Sequence, residues 1–152
     1  IIIHTSTSHG PSYNKRYPSE FEKFTPVCTT VEMSKADKGE LINSYDNSIL
    51  YTDYILDQVI GQLKELPEWR SCMMYISDHG ESLGEGGLYM HGVPIAISPR
   101  EQLEIPFIVW TSDTSLKIKN MEVYKQYHVF HSVMNFLGAR SDIYDETMNI
   151  FE

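Results

Sequence analysis

From Asp37 to Leu66 apolar residues recur with the period of an α-helix, at Leu41, Tyr45, Ile49, Leu56, Val59, Ile60, Leu63 and Leu66. That spacing gathers them on one stripe, with Asp46, Asp53, Asp57 and Lys64 on the wet side. Ser34, three residues before Asp37, marks the start, and Pro67 marks the stop. A one-faced helix has to bury its stripe against another layer. The chain supplies short apolar runs for that layer: Ile1 to His4, Met73 to Ser77, and Ile105 to Trp110 around Pro106. Each reads as a buried strand. A second helix, from Tyr124 to Leu137, is stopped by Gly138. Strands separated by helices predict an α/β fold with a mostly parallel sheet and helices on both faces.

Charge and length exclude several classes. The net charge is −9, from 21 acidic and 12 basic residues, and the densest basic stretch is Lys15-Arg16. No basic patch for nucleic acid or an anionic membrane surface is present. No run of 18 apolar residues occurs, so nothing in the sequence spans a membrane. The opening Ile1-Ile2-Ile3-His4 has no basic stretch, long apolar core or initiator Met, so it is not a signal peptide. An apolar triplet opening straight onto a polar loop is expected of a strand cut from a longer chain. The two cysteines, Cys28 in a loop and Cys72 at the head of an apolar run, do not decide the compartment.

In open α/β sheets, ligands sit beyond the carboxyl ends of the strands. Asp78 and His79 stand at the exit of the Met73 run, followed by Gly80, which permits unusual dihedrals there. His91 lies twelve residues after His79, at the end of a glycine-rich loop, and His9 lies on the loop after the first run. Three loops thus aim one carboxylate and three imidazoles at a common pocket, a donor set suited to zinc together with a phosphate. Taken singly, the same residues are ordinary: an Asp-His pair caps turns, His9 and His91 are loop histidines, Glu81, Glu85, Tyr13, Lys15 and Arg16 are loop residues, and Tyr45 and Tyr54 pack a helix. His128 and His131 stand at i, i+3, a spacing compatible with a metal but commoner for satisfied histidines.

The order and wording of the segments carry a resemblance. Ser8-His9-Gly10-Pro11-Ser12-Tyr13 followed by Lys15-Arg16-Tyr17-Pro18 resembles a stretch of the lipid A phosphoethanolamine transferases of the alkaline-phosphatase/sulfatase superfamily. Phe24 to Cys28, Leu41 to Asn47, Ser77 to Glu85, Leu88 to Gly92 and Ile105 to Phe107 follow in that family's order. The likeness is close over residues 1–111 and weak beyond. It implies that residues 1–152 are the C-terminal part of a periplasmic, sulfatase-like catalytic domain with a partial alkaline-phosphatase-like sheet. It implies Asp78 and His79 as zinc ligands, and His9 and His91 as contacts of the transferred phosphate or holders of a second zinc.

The activity implied is transfer of phosphoethanolamine from phosphatidylethanolamine to lipid A or another envelope acceptor, through a threonine nucleophile. In the family, that threonine and a glutamate ligand come from segments upstream of Asp78 and His79, and neither is visible here. The parent is expected to be anchored in the bacterial inner membrane by N-terminal helices, and the piece alone is expected to be inactive. A second cysteine paired with the one at position 28 is usual in the family near position 36, where this chain has Ala36. The last helix, Gln126 to His131, keeps only part of the family pattern. The rival readings are a sulfatase or phosphodiesterase of the same superfamily, and a non-catalytic module that retains the fold.

Overall fold

The computed structural model describes residues 1–152. The elements run α1 (Lys38–Lys64), β1 (Cys72–Ile76), β2 (Ser82–Leu83), β3 (Tyr89–Met90), α2 (Arg100–Leu103), β4 (Phe107–Thr111) and α3 (Tyr127–Phe136), with short 3-10 turns between them. Helix and sheet are both present, as an α/β fold requires, though the sheet is small. The chain divides into two compact units, Ile1–Gln62 with His79–Ile105, and Leu63–Asp78 with Pro106–Glu152. No helix is long and apolar enough to cross a membrane.

In the first unit α1 forms where the apolar period places it. Asp37 caps it: its Oδ1 accepts from Gly39 N at 2.8 Å and Glu40 N at 3.1 Å, two donors with no partner inside the helix. The buried face differs from the apolar stripe. Leu41, Ser44, Asn47, Ser48 and Thr52 are buried, while Ile49 and Tyr54 are exposed. The reason lies in what covers the helix. Residues 5–36 contain only 3-10 turns and no ladder, so their backbone groups need side-chain partners. Asn47, fully buried, accepts Lys23 N and Phe24 N on Oδ1 at 2.8 and 2.9 Å and donates Nδ2 to Phe24 O at 2.9 Å. Ser44 Oγ accepts Cys28 N at 2.8 Å, and Thr52 shares a 2.6 Å bond with Thr7. Small hydroxyl side chains let the loop approach closely and satisfy it at the same time.

Beside this polar seam lies a small apolar core of Tyr13, Cys28, Met33 and Leu41, with Ala36, Tyr45, Leu83, Tyr89 and Met90 packed against it. Cys28 and Cys72 are both free thiols, and Ala36 packs against the core at the position that suggested a partner for Cys28. Ile1, Ile2 and Ile3 form no strand and are exposed, contrary to the buried strand expected at residues 1–4. No ladder bond holds them, and an apolar run without one does not make a strand.

In the second unit β1 and β4 pair antiparallel, in a register that runs from Cys72↔Thr111 to Ile76↔Phe107. The expected parallel direction is therefore corrected: both strand pairs of this chain, β1–β4 and β2–β3, are antiparallel. The cause is where the chain re-enters. It leaves β1 at Ile76 and returns at Phe107, the residue directly opposite, so no crossover along the sheet is needed. The far end of the pair is tied by Arg70, which donates Nε to Asp113 Oδ2 at 2.8 Å and lies 4.6 Å over the Phe136 ring. Bonds from Ser115 and then Arg70 hold the Asp113 carboxyl down to about 2.

α3 ends at Gly138, whose φ of 62° lets Ala139 N reach Met134 O and Gly138 N reach Asn135 O. Its Ser132 Oγ accepts Ile150 N at 3.1 Å, and Asn149, Ile150 and Phe151 are buried. Replacing Asn47 by Ala is expected to cost about 1–3 kcal/mol, because its loop partners Lys23 and Phe24 are exposed and regain some water. Urea unfolding of the purified chain measures this, and a loss below about 0.5 kcal/mol would show that the seam does not hold the loop.

Candidate functional site

His9, His79 and His91 come from three separate segments of the first unit, and one ring nitrogen from each lies within 4.8 Å of the others. The ring centroids of His79 and His91 stack at 3.6 Å, and His9 meets them edge-on at 5.9 and 5.2 Å. His9 is exposed and the other two are half-buried, so the cluster opens to solvent.

Local structure aims each ring. His9 precedes the Gly10–Pro11 turn, and Arg16 Nε donates to its carbonyl at 3.0 Å. His79 is followed by Gly80, whose N–H donates to Gln102 O at 3.0 Å. The backbones approach so closely that a Cβ on Gly80 would lie 1.9 Å from the Glu101 carbonyl oxygen. Only glycine fits there. The neighbouring Ser82 and Gln102 are both buried and bond to each other at 2.9 Å.

His91 follows the β2–β3 hairpin. Ser82 opposes Met90, so Glu81 and His91 flank the end of the ladder as the next facing pair. Met90 has a φ of 62°, a left-handed conformation that costs a non-glycine residue on the order of 1 kcal/mol and turns the chain just before the imidazole.

The ring hydrogen bonds decide which nitrogen offers a lone pair. His9 Nδ1 lies 2.7 Å from Gly10 O, and His79 Nδ1 lies 3.0 Å from Gly80 O. Carbonyl oxygens only accept, so both Nδ1 atoms carry the proton. His91 Nδ1 lies 3.0 Å from Glu81 Oε1. In the neutral ring the lone pair then sits on Nε2 in all three histidines, which is the form that ligates a metal. Two imidazole nitrogens bound to one tetrahedral zinc stand about 3.4 Å apart. The three nitrogens here lie within 4.8 Å of one another, close enough to share a cation or an oxyanion.

Of the four residues singled out by sequence, three make the cluster. Asp78 is the next residue in the chain to His79 but counts with the second unit, where its backbone carbonyl accepts from Gln126 Nε2 at 2.7 Å. His128 and His131 have the satisfied role: their Nδ1 atoms accept the backbone N–H of Lys125 and of Asp145, each at 3.0 Å. Burial lowers the His128 pKa, with the nearby charges of His131 and Lys125 adding to it.

Tyr13 and Glu81, read from sequence as loop residues, are buried, and Tyr13 OH donates to Glu81 Oε2 at 2.7 Å. Burial, then the bond to Glu81 and its charge, raises the Tyr13 pKa far above the ordinary phenol value, so the hydroxyl stays a donor. The available signal was hairpin register: glycines at positions 84, 86 and 87 make the turn, and a hairpin centred there sets Glu81 against His91.

Comparison with known proteins places the chain among characterised relatives. A protein-family model described as Sulfatase matches residues 1–139. The phosphoethanolamine transferase EptA of Escherichia coli K12 is 38% identical over 164 residues, covering 100% of this chain and 30% of EptA. The soluble domain of lipooligosaccharide phosphoethanolamine transferase A from Neisseria meningitidis superposes with a TM-score of 0.89 at 38% identity, over 97% of this chain and 48% of that one. The C-terminal periplasmic domain of phosphoethanolamine transferase EptC from Campylobacter jejuni superposes with a TM-score of 0.83 at 44% identity, over 94% of this chain and 48% of that one. The chain thus spans 30% of the length of the curated relative and about half of each solved domain.

The Gly80 contact gives a direct test. Gly80→Ala must push apart the backbones at Gly80 and Glu101, and it is expected to destabilise the first unit by about 1–3 kcal/mol or more. Thermal unfolding measures it, and a wild-type melting temperature would mean the close approach is absent.

Proposed function

This chain belongs to the sulfatase family, and from that premise we propose that it is the His-bearing part of a zinc-dependent enzyme that moves phosphoethanolamine from phosphatidylethanolamine to lipid A or another bacterial envelope acceptor. The observation that carries the reading is the convergence of His9, His79 and His91 from three segments, with each Nδ1 already engaged. The names of its relatives, transferases of phosphoethanolamine, favour this over sulfate-ester chemistry. On the same reading the whole protein works at the periplasmic face of the inner membrane, and the similar Campylobacter domain is itself periplasmic.

In this scheme His79, with Asp78 beside it in sequence, holds the zinc, and His9 and His91 hold the transferred phosphate. Bound zinc neutralises phosphoryl oxygens and makes an alkoxide nucleophile competent at neutral pH. The chain's own residues do the rest. With every Nδ1 engaged, Nε2 is the nitrogen left for the chemistry. On His79 it offers a lone pair toward the metal. On His9 and His91, in their doubly protonated form, it offers an N–H toward the equatorial oxygens, where charge spreads as the phosphoryl group transfers. The orientation of the three rings is set before substrate arrives, by the Gly10 and Gly80 carbonyls and by Glu81, so little reorganisation is needed. The nucleophilic threonine is assigned to the whole protein outside residues 1–152, and these residues alone are then inactive.

The test uses the full-length protein, a fluorescent phosphatidylethanolamine with lipid A as acceptor, and a sulfate ester as the rival substrate. Head-group transfer with bound zinc is expected. Asp78→Ala and His79→Ala should each lower zinc content and reduce transfer by more than the about 10–100-fold typical of residues one shell further out. Sulfate-ester hydrolysis without lipid transfer would replace this reading with a sulfatase. Zinc content unchanged in both variants would replace it with a non-catalytic module.

A further inference from the structure

Behind the three imidazoles Glu81 is one end of a buried pair of side chains, and the scheme above does not use the other end, Tyr13. Tyr13 is 1% exposed and Glu81 9%. The phenol donates to Glu81 Oε2 at 2.7 Å, and Oε1 faces His91 Nδ1 at 3.0 Å, so both carboxylate oxygens have a partner. The Tyr13 ring packs edge-on against Tyr45, with centroids 5.3 Å apart, inside the apolar cluster with Cys28, Met33 and Leu41. That packing holds the hydroxyl in place. The loop bearing His9 presses on the same group: a Cβ on Gly10 would sit 2.8 Å from Tyr13 OH and 3.4 Å from Glu81 Oε2.

A carboxylate buried against an apolar cluster is a costly filler, and glutamine or methionine would pack there with less desolvation. What the carboxylate adds is an acceptor of fixed sense. An ionised carboxylate cannot donate, so it permits only the Nδ1–H form of the ring that faces it. A glutamine in its place could present either an oxygen or an NH2 group and would lose that discrimination.

We propose that Tyr13 and Glu81 form a positioning relay that locks the rotation and tautomer of His91 and keeps Nε2 as its working nitrogen. The relay rests on the reading of the histidine trio as a metal- and phosphate-binding site. It acts through His91 and touches no substrate. Tyr13 anchors one oxygen of Glu81, and the hairpin register sets the other against His91. Its contact with Gly10 also couples the relay to the loop of a second histidine.

The experiment labels the histidines of the full-length protein with nitrogen-15 and reads the tautomer of His91 at one fixed pH, with His91→Gln identifying its signals. The wild type is expected to show the Nδ1–H form alone. Glu81→Gln should give a mixture of tautomers, and kcat for lipid head-group transfer should fall about 10–100-fold. Tyr13→Phe removes a single hydroxyl and should move both readouts the same way by less. His79, held by the Gly80 carbonyl, should keep its tautomer in both variants, which separates the effect from general unfolding.

A His91 tautomer and kcat unchanged in both variants overturns the relay. Should Glu81→Gln not fold, Tyr13→Phe decides alone. A wild-type protein without transfer activity defeats the functional reading, and the relay is then judged on the tautomer alone.

Discussion

A loop laid against a helix must find partners for every backbone group it takes out of water, and the loop that carries His9 finds them on α1. Residues 5–36 have no strand to pair with. Asn47, Ser44 and Thr52 stand in for one, each bonding to the loop. This seam also seats Tyr13 and Cys28 against Leu41 and Met33. Remove the seam and the core loses its lid, Tyr13 loses its packing, and His9 loses its place beside the other two imidazoles.

The positions of α1 and α3 were legible in the sequence because the 3.6-residue period is a local property, whereas α2, four residues long, is too short to show one. Which face of α1 is buried was not. Ranking residues by hydrophobicity favours Ile49 and Tyr54, which are exposed, over Ser44, Asn47 and Ser48, which are buried. The ranking fails because the covering layer is irregular backbone, and such a layer needs donors and acceptors rather than methyl groups. The runs at 72–76 and 107–111 were legible as strands, but their direction was not, since direction depends on where the intervening segment returns. For the same reason the core residues Asn149, Ile150 and Phe151 went unseen: a short C-terminal run carries no period of its own.

The candidate site divides along similar lines. His9, His79 and His91 were legible as a group because each stands next to a glycine at a loop that leaves an apolar run or a hairpin. Their supporting residues were hidden. Glu81 and Tyr13 look like surface charge and loop aromatic until the β2–β3 register and the helix seam bury them. Side chains of a ligating type announce themselves in the sequence, whereas the buried side chains behind them are known only by their neighbours.

The segment between Ile76 and Phe107 departs from and comes back to one end of a two-strand ladder. Its two anchor points are about 5 Å apart, as facing residues of an antiparallel pair are. Such an attachment behaves as a socket. Lengthening the inserted stretch costs only slowly growing closure entropy and leaves the ladder's own bonds untouched. The ladder therefore sets no limit on the length of the stretch that carries His79 and His91; the limit comes from that stretch's own contacts, the Tyr13–Glu81 bond and the packing of Leu83, Tyr89 and Met90 on the apolar cluster.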